Sequence, residues 1–196
     1  MKELLNYDPD NHEYFILTDR VVHIPSVSEI LKPILSDYDI PLFYAERGTL
    51  VHEATESFDE GTYLQELVDP MVIPYLIGYE NFLDEHEVVL DKSELMVFDE
   101  ELLYAGRLDR IWTVDGRRTI TDIKTGGKYR WHPVQLVAYL MASDLQDCAP
   151  ISSLYLNEFA YKFHYWDSAP DWETFKALVE IYWFNHPADY KRLKKL

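Results

Sequence analysis

The spacing of hydrophobic and polar residues changes along the chain, and these changes predict helices at the front and strands in the middle. The segment VVHIPSVSEILKPIL predicts a short extended piece and then a helix that Ser26 or Ser28 caps. In RGTLVHEATESFDEG, apolar residues recur every fourth position, which predicts a helix over 49–59. Its apolar stripe consists of Leu50, Ala54 and Phe58. A third helix is predicted in VDPMVIPYLIGYENFLDEHE, with Pro70 and Pro74 in or near its first turns.

The middle of the chain has the pattern of strands, and the end combines both patterns. Strands are predicted over 93–98, 103–113 and 117–124. HPVQLVAYLMASDL then predicts a helix with Pro133 in its first turn, SSLYLNEFAYKFHYW one or two strands, and DWETFKALVEIYWFNH a closing amphipathic helix. This order predicts an α/β fold in which helices flank a mixed central β-sheet. Because no linker or repeat interrupts the chain, we expect one domain over 1–196.

Composition excludes several classes of protein. A hydrophobic fraction of 47% and an aromatic fraction of 15% over 196 residues argue against disorder. No apolar run is long enough for a membrane span, and the acidic start lacks the apolar core of a secretory signal, so we expect a cytoplasmic protein. Cys148 is the only cysteine, which excludes an intramolecular disulfide and any four-cysteine zinc or iron–sulfur site.

Charge is distributed unevenly along a chain whose net charge is −17. Residues 1–102 hold 5 basic and 24 acidic residues, whereas residues 103–132 hold 7 basic and 3 acidic ones. The overall acidity predicts poor non-specific attraction to nucleic acid. The net-positive segment, in contrast, permits a confined anionic substrate.

That positive segment, GRLDRIWTVDGRRTITDIKTG, carries charged residues inside a strand pattern. Asp115-Gly116 predicts a two-residue hairpin turn, and counting back from it places Asp109 directly opposite Asp122. Lys124 lies two residues beyond Asp122 and therefore projects from the same face. A three-residue loop with a bulge would instead shift this register by one position.

Two opposed carboxylates repel each other unless a cation lies between them, and hard oxygen ligands suit Mg²⁺ or Mn²⁺. Lys124 would then contact a phosphate, or position and deprotonate an attacking water. In this register Ile123 points the other way, into a core, and faces Leu108. The alternative is a surface salt bridge between Asp122 and Lys124.

Two helices offer further polar pairs at a spacing of four residues. His52 and Glu56 share a helix face that is separate from the apolar stripe, and neutral imidazole is a competent ligand for Mn²⁺. Gln135 and Tyr139 repeat this spacing on the helix after the hairpin. The alternative for each is ordinary: a surface or satisfied histidine, and a polar helix edge.

Four segments in order, RGTLVHEATE, YAGRLDRIW, TITDIKTG and QLVAY, resemble the PD-(D/E)xK nuclease superfamily, in particular its RecB-like branch with the phage-type exonucleases. They match the patterns G-x-x-x-H, G-x-x-D, D-x-K and Q-x-x-x-Y across residues 47 to 139, and PSVSEIL resembles the segment that precedes the first of these. The resemblance implies a restriction-endonuclease-like fold. The chain departs from some relatives in two respects. Its single cysteine cannot ligate an iron–sulfur cluster, and GGKYR does not match the phosphate-binding loop of a fused helicase.

The resemblance also implies a role for each matching residue. Asp109 and Asp122 would bind Mg²⁺ or Mn²⁺, with His52 and the carbonyl of Ile123 as further ligands. Lys124 would be the catalytic lysine. The implied activity is metal-dependent hydrolysis of DNA phosphodiester bonds, by an exonuclease of recombination, repair or phage DNA processing, in a bacterial or phage-infected cell.

Other residues and partners follow from the same resemblance. Gln135 and Tyr139 would support the site or contact DNA. Glu56 and Glu94 lie where some relatives have useful acids, but no role is assigned to either. DNA is the expected partner, and a recombinase or single-strand annealing protein a further one. Two alternatives remain: a catalytically inactive relative that binds DNA or a partner, and an acidic protein that imitates DNA.

Overall fold

The structure is a computed structural model that describes residues 2–9, 11–35, 42–64, 68–143, 145, 150–166 and 171–196, so that Cys148 lies outside the described residues. In these ranges, helices span Val27–Leu31 (α1), Leu42–Asp59 (α2), Ile73–Glu85 (α3), His132–Met141 (α4), Asp171–Asn185 (α5) and Pro187–Leu193 (α6). Strands span Leu5–Asp8 (β1), Glu13–Leu17 (β2), Val21–Ile24 (β3), Val88–Asp99 (β4), Tyr104–Val114 (β5), Arg117–Lys124 (β6), Ile151–Asn157 (β7) and Ala160–Trp166 (β8). None of the helices in the described ranges has the length and apolar character that crossing a membrane requires.

The larger sheet has the strand order β4-β5-β6-β7-β8 in the described part of the chain. Strands β6 and β7 are parallel and the other neighbours are antiparallel, so the sheet is mixed. The parallel pair is possible because the connection between these strands includes α4. The predicted α/β fold with a mixed central sheet is therefore confirmed.

Helices cover both faces of this sheet and form two hydrophobic cores. The first core includes Leu136 of α4 and Phe175 of α5, packed with the sheet residues Leu108 and Ile120. The second core lies on α2 and α3 and includes Val51, Phe82, Trp112 and Ile123. Burying the apolar faces of sheet and helices against each other supplies the main stabilisation of such a layered fold.

The predicted hairpin register is confirmed over most of its length. Val114 pairs with Arg117, and the regular pairs continue to Arg110 and Thr121. Asp115 and Gly116 have φ values of 51° and 76°, as a primed two-residue turn requires.

The expectation that Ile123 faces Leu108 was wrong, because these residues pack in different cores. The ladder of β5 and β6 stops at Arg110, and the Asp109 carboxylate accepts the hydrogen bond that the Ile123 N–H donates at 2.7 Å. The Asp109 side chain thus replaces a backbone carbonyl of β5 as the acceptor for the Ile123 N–H.

The front of the chain differs from its prediction in two ways and agrees with it at the cap of the first helix. Strands β1, β2 and β3 form a separate antiparallel sheet, of which only the last was expected. Ser26 caps α1 by accepting a hydrogen bond from the Glu29 N–H at 3.0 Å, which decides between the two predicted serines. Helix α2 begins at Leu42 rather than at residue 49, and its most buried face includes Val51 and Thr55 beside the predicted stripe.

Candidate metal centre

Three side chains from three different elements present metal-binding atoms to one point. His52 lies on α2, Glu94 on β4 and Asp109 on β5, and one donor atom of each lies within 4.8 Å of the other two. Asp109 is buried and the other two are partly buried. Two carboxylates and an imidazole are a donor set that suits Mn²⁺, and Mg²⁺ with retained water.

Asp109 is the most rigidly held of the three. Its Oδ2 accepts the hydrogen bond from the Ile123 N–H, and His52 Nδ1 lies 3.5 Å from the same oxygen. Because the donor is backbone of β6, the carboxylate position is fixed by the sheet itself. This contact also explains why a buried, charged residue is tolerated between two strands.

Glu94 reaches the centre through an unusual backbone conformation. Its φ of 49° is left-handed, which costs a non-glycine residue about 1–2 kcal/mol. The flanking residues Ser93 and Leu95 keep regular pairs with β5, so the irregularity is confined to the residue opposite Asp109. Burial, and secondly the nearby Asp109 carboxylate, raise the pKa of Glu94 to about 7.

Two arginines hold the Glu94 carboxylate in place. Arg107 Nε lies 2.7 Å from Glu94 Oε2, and Arg110 Nη1 lies 3.3 Å from Oε1. Arg110 is fully buried, donates to Asp59 Oδ2 at 2.6 Å and to the carbonyl of Asp109 at 2.8 Å, and so ties α2 to β5. Strong, well-placed ion pairs of this kind are needed to keep a guanidinium away from water.

Glu94 and these arginines are the residues that sequence reasoning missed. Glu94 lies in a segment that reads as an ordinary strand, and no local pattern distinguishes it from an exposed glutamate. A signal was available in Arg110, a charge in an apolar strand next to Asp109, which demands a buried acidic partner.

Asp122 and Lys124 form a close ion pair beside the centre. Lys124 Nζ lies 2.6 Å from Asp122 Oδ2, and the Asp122 side chain is buried. Burial raises the pKa of Asp122; the Lys124 ammonium opposes this shift and the Asp109 carboxylate adds to it. A buried carboxylate close to a second carboxylate fits a site for a divalent cation.

Lys124 is held by the helix that follows the hairpin. Its Nζ donates to Gln135 Oε1 at 2.9 Å, and Gln135 Nε2 donates to the Tyr139 hydroxyl at 3.0 Å. Both residues of α4 are buried, so the polar-helix-edge alternative was wrong and the supporting role agrees with their position. Gly106 leaves the space for this arrangement, since a Cβ there would lie 2.5 Å from Cε1 of Tyr139.

The sequence-predicted residues thus gather in one place, although not all of them join the triad. His52 and Asp109 belong to it together with Glu94, whereas Asp122 and the carbonyl of Ile123 remain predictions as ligands. Glu56 lies near these residues, with its Oε1 3.9 Å from Arg107 Nη2. The salt-bridge alternative for Asp122 and Lys124 describes their contact correctly but places it wrongly, because Asp122 is buried rather than at the surface.

A cleft of about 690 Å³, here called the site cleft, opens beside the triad, although Asp109 and Asp122 are not part of its lining. Its lining includes His52, Glu94, Arg107 and Lys124, so anionic ligand groups and cationic side chains face one space. Such a cleft can hold a divalent cation on one side and an anionic group against Lys124 on the other. This is the arrangement that metal-assisted hydrolysis of a phosphate ester requires.

Comparison with known proteins adds little to this geometry. No family model matches the sequence, and no curated protein matches it. Among solved structures, the crystal structure of SSO0001 is similar to this chain at 17% sequence identity, with 79% of this chain and 81% of that chain covered and a TM-score of 0.36. At that identity and TM-score the likeness assigns neither a fold family nor an activity.

Proposed function

We propose that this chain is a divalent-metal-dependent DNA nuclease of the PD-(D/E)xK type, with a restriction-endonuclease-like core and with exonuclease action favoured by the RecB-like pattern of its motifs. The observation that carries the proposal is the triad of His52, Glu94 and Asp109 beside the ion pair of the buried Asp122 and the partly buried Lys124. Catalytic centres concentrate charged groups in this way at a cost in stability.

The side chains divide the work of hydrolysis between them. A bound Mg²⁺ or Mn²⁺ would supply a Lewis acid that stabilises charge on the phosphate and lowers the pKa of the attacking water. Asp109, Glu94 and His52 would hold the cation, with Asp122 completing the site from β6. Lys124 would donate to a phosphate oxygen or orient the attacking water, and its hydrogen bond to Gln135 fixes the direction in which Nζ points.

A degradation assay tests this proposal. End-labelled linear DNA and covalently closed circular DNA are incubated with Mg²⁺ or Mn²⁺, and then with a chelator. We expect loss of linear DNA, survival of circular DNA, and no degradation after chelation.

Point variants tie that activity to the site. Asp109→Ala, Asp122→Ala and Lys124→Ala each abolish degradation, whereas Lys195→Ala, which changes an exposed lysine outside the site cleft, does not. Folding of each variant is checked by its thermal unfolding. Lys124→Ala protein that degrades DNA at the wild-type rate would defeat the mechanism.

The net charge of −17 supports a second candidate, an acidic protein that imitates DNA and occupies a DNA-binding partner. Binding of a labelled oligonucleotide in Ca²⁺ separates the two, because a nuclease binds it at low salt and a DNA mimic does not. Binding without cleavage in Mg²⁺ or Mn²⁺ would indicate the inactive relative.

For the nuclease, the substrate would place the activity in the cytoplasm of a bacterial or phage-infected cell, where a recombinase or single-strand annealing protein is the expected partner.

A further inference from the structure

A second and larger cleft, of about 1070 Å³, follows the exposed edge strand β8 and does not contain the metal-binding triad. We call it the β8 cleft. It lies between the last turn of α3 and the loop after β6, and its lining includes Gly126, which follows Thr125 of the site cleft. Tyr155, also in its lining, is the register partner of Lys124. The β8 cleft therefore begins next to the candidate catalytic lysine.

Among Lys, Arg, Asp and Glu residues, the lining of the β8 cleft holds two lysines and one glutamate. Lys128 and Lys162 lie in it together with His164, whose Nε2 accepts a hydrogen bond from Lys128 Nζ at 2.8 Å. The acidic group in the lining, Glu85, accepts a hydrogen bond from the Tyr161 hydroxyl at 2.6 Å. In a chain with a net charge of −17, a positive lining beside the site indicates an anionic ligand.

Aromatic rings lie in the β8 cleft and next to it. Phe159, in the lining, is 60% exposed at the turn before β8. Outside the lining, Lys128 Nζ lies 4.2 Å above the ring of Trp166, and Tyr129, which follows Lys128 in the loop after β6, is 46% exposed and stacked on Trp131 at an interplanar angle of 12°. A basic groove interleaved with exposed rings is typical of proteins that bind single-stranded nucleic acid, because bases stack on the rings while phosphates contact the cations.

We propose that the β8 cleft binds a single strand of DNA and leads its end to the site cleft. This inference rests on the proposed nuclease function and adds the substrate class to it. A duplex does not fit this chemistry, since paired bases are stacked on each other and offer no free face to Phe159 or Tyr129. The volume lies near the upper end of the range for a pocket that takes one small ligand, roughly 300–1,000 Å³, so the cleft has room for nucleotides of a single strand.

Fluorescence anisotropy of a labelled oligo-dT in Ca²⁺ tests the inference with two pairs of variants. Phe159→Ala is matched by Phe184→Ala, an 84% exposed phenylalanine outside the β8 cleft, and Lys162→Ala by Lys195→Ala. We expect the dissociation constant to rise about tenfold for Phe159→Ala, the loss of one stacked base. For Lys162→Ala, the slope of log affinity against log salt should fall by about 0.7, the loss of one phosphate contact on a single strand. Both controls should match the wild type.

The outcomes separate this inference from the function on which it rests. If Phe159→Ala and Lys162→Ala bind like their controls while the wild type degrades DNA, the inference is overturned and the nuclease stands. The exposed edge of β8 would then be open to a strand of another polypeptide. If the wild type neither binds oligo-dT at low salt nor degrades DNA, both proposals fall together.

Discussion

Neutralising Glu94 is the sharpest test of the proposed metal ligand to which the sequence assigned no role. Glu94→Gln keeps the shape of the side chain and removes its charge from the triad. Because the donor atoms lie within 4.8 Å of one another, a cation shared by them is within about 4 Å of the Glu94 carboxylate. At that distance two unit charges interact by about 1 kcal/mol in a dielectric of water and about 4 kcal/mol near a protein surface.

A divalent cation doubles these figures, to about 2 and 8 kcal/mol. The smaller value is a lower limit because the Glu94 side chain is only 15% exposed, and it corresponds to about a 30-fold loss of affinity. Isothermal titration calorimetry with Mn²⁺ measures this loss of affinity. It is done at pH 8, above the raised pKa of Glu94.

The matched control is Glu53→Gln, which removes a carboxylate from the same site cleft but outside the triad. It should retain the wild-type affinity for Mn²⁺ within about twofold. An unchanged affinity in Glu94→Gln would refute the assignment of Glu94 as a ligand.

Three further predictions concern the groups that support the centre. Asp59→Ala should destabilise the fold by about 3–5 kcal/mol in urea unfolding, because it leaves Arg110 buried without its closest partner; a loss under about 1 kcal/mol would contradict this. Tyr139→Phe should slow DNA degradation about tenfold with the fold intact, since Gln135 loses its acceptor and no longer holds Lys124; an unchanged rate would exclude that positioning role. Burial, and secondly the Lys124 ammonium, lower the pKa of His132 to about 3. The unfolded chain therefore binds a proton that the folded chain does not as the pH falls below about 6.5, which costs about 2 kcal/mol between pH 7 and pH 5. Between pH 7 and pH 5, the free energy of unfolding of His132→Asn should fall by about 2 kcal/mol less than that of the wild type. An equal fall in both proteins would contradict the lowered pKa of His132.

The hairpin illustrates what local sequence determines well. Asp115-Gly116 has a strong preference for one turn type, and a turn of known length fixes the register of both strands. The pairs from Val114 and Arg117 to Arg110 and Thr121 follow directly. The prediction failed one residue further on, where Asp109 accepts a hydrogen bond from the backbone and the ladder ends, because no turn rule describes that exchange.

Residues whose role depends on distant partners were harder to predict. Glu94 becomes part of the centre only through its left-handed backbone and through Arg107 and Arg110, which lie on the neighbouring strand. Strands β1 and β2 are short and pair within a separate sheet, so their apolar residues give little periodic signal. Such features depend on tertiary contacts that local patterns do not contain.

Gln135 and Tyr139 show the limit of reading polarity as exposure. On sequence alone, a glutamine and a tyrosine four residues apart suggest a polar helix edge. In the structure, residues His132 to Leu140 of α4 are all buried, and these two bind each other and Lys124. Only the matched family pattern suggested a supporting role for them. The hydrogen bonds show how they would play it, because Gln135 contacts both Lys124 and Tyr139.

The central claim is that one divalent cation is held between α2, β4 and β5, beside Asp122 and Lys124. An anomalous difference map from a crystal soaked in Mn²⁺ tests it most directly. The account predicts a peak roughly 2.0–2.6 Å from donor atoms of His52, Glu94 and Asp109, with the Asp122 carboxylate turned toward it. A crystal in which Mn²⁺ binds elsewhere, with the Asp109 and Asp122 carboxylates on opposite sides of the sheet, would contradict it.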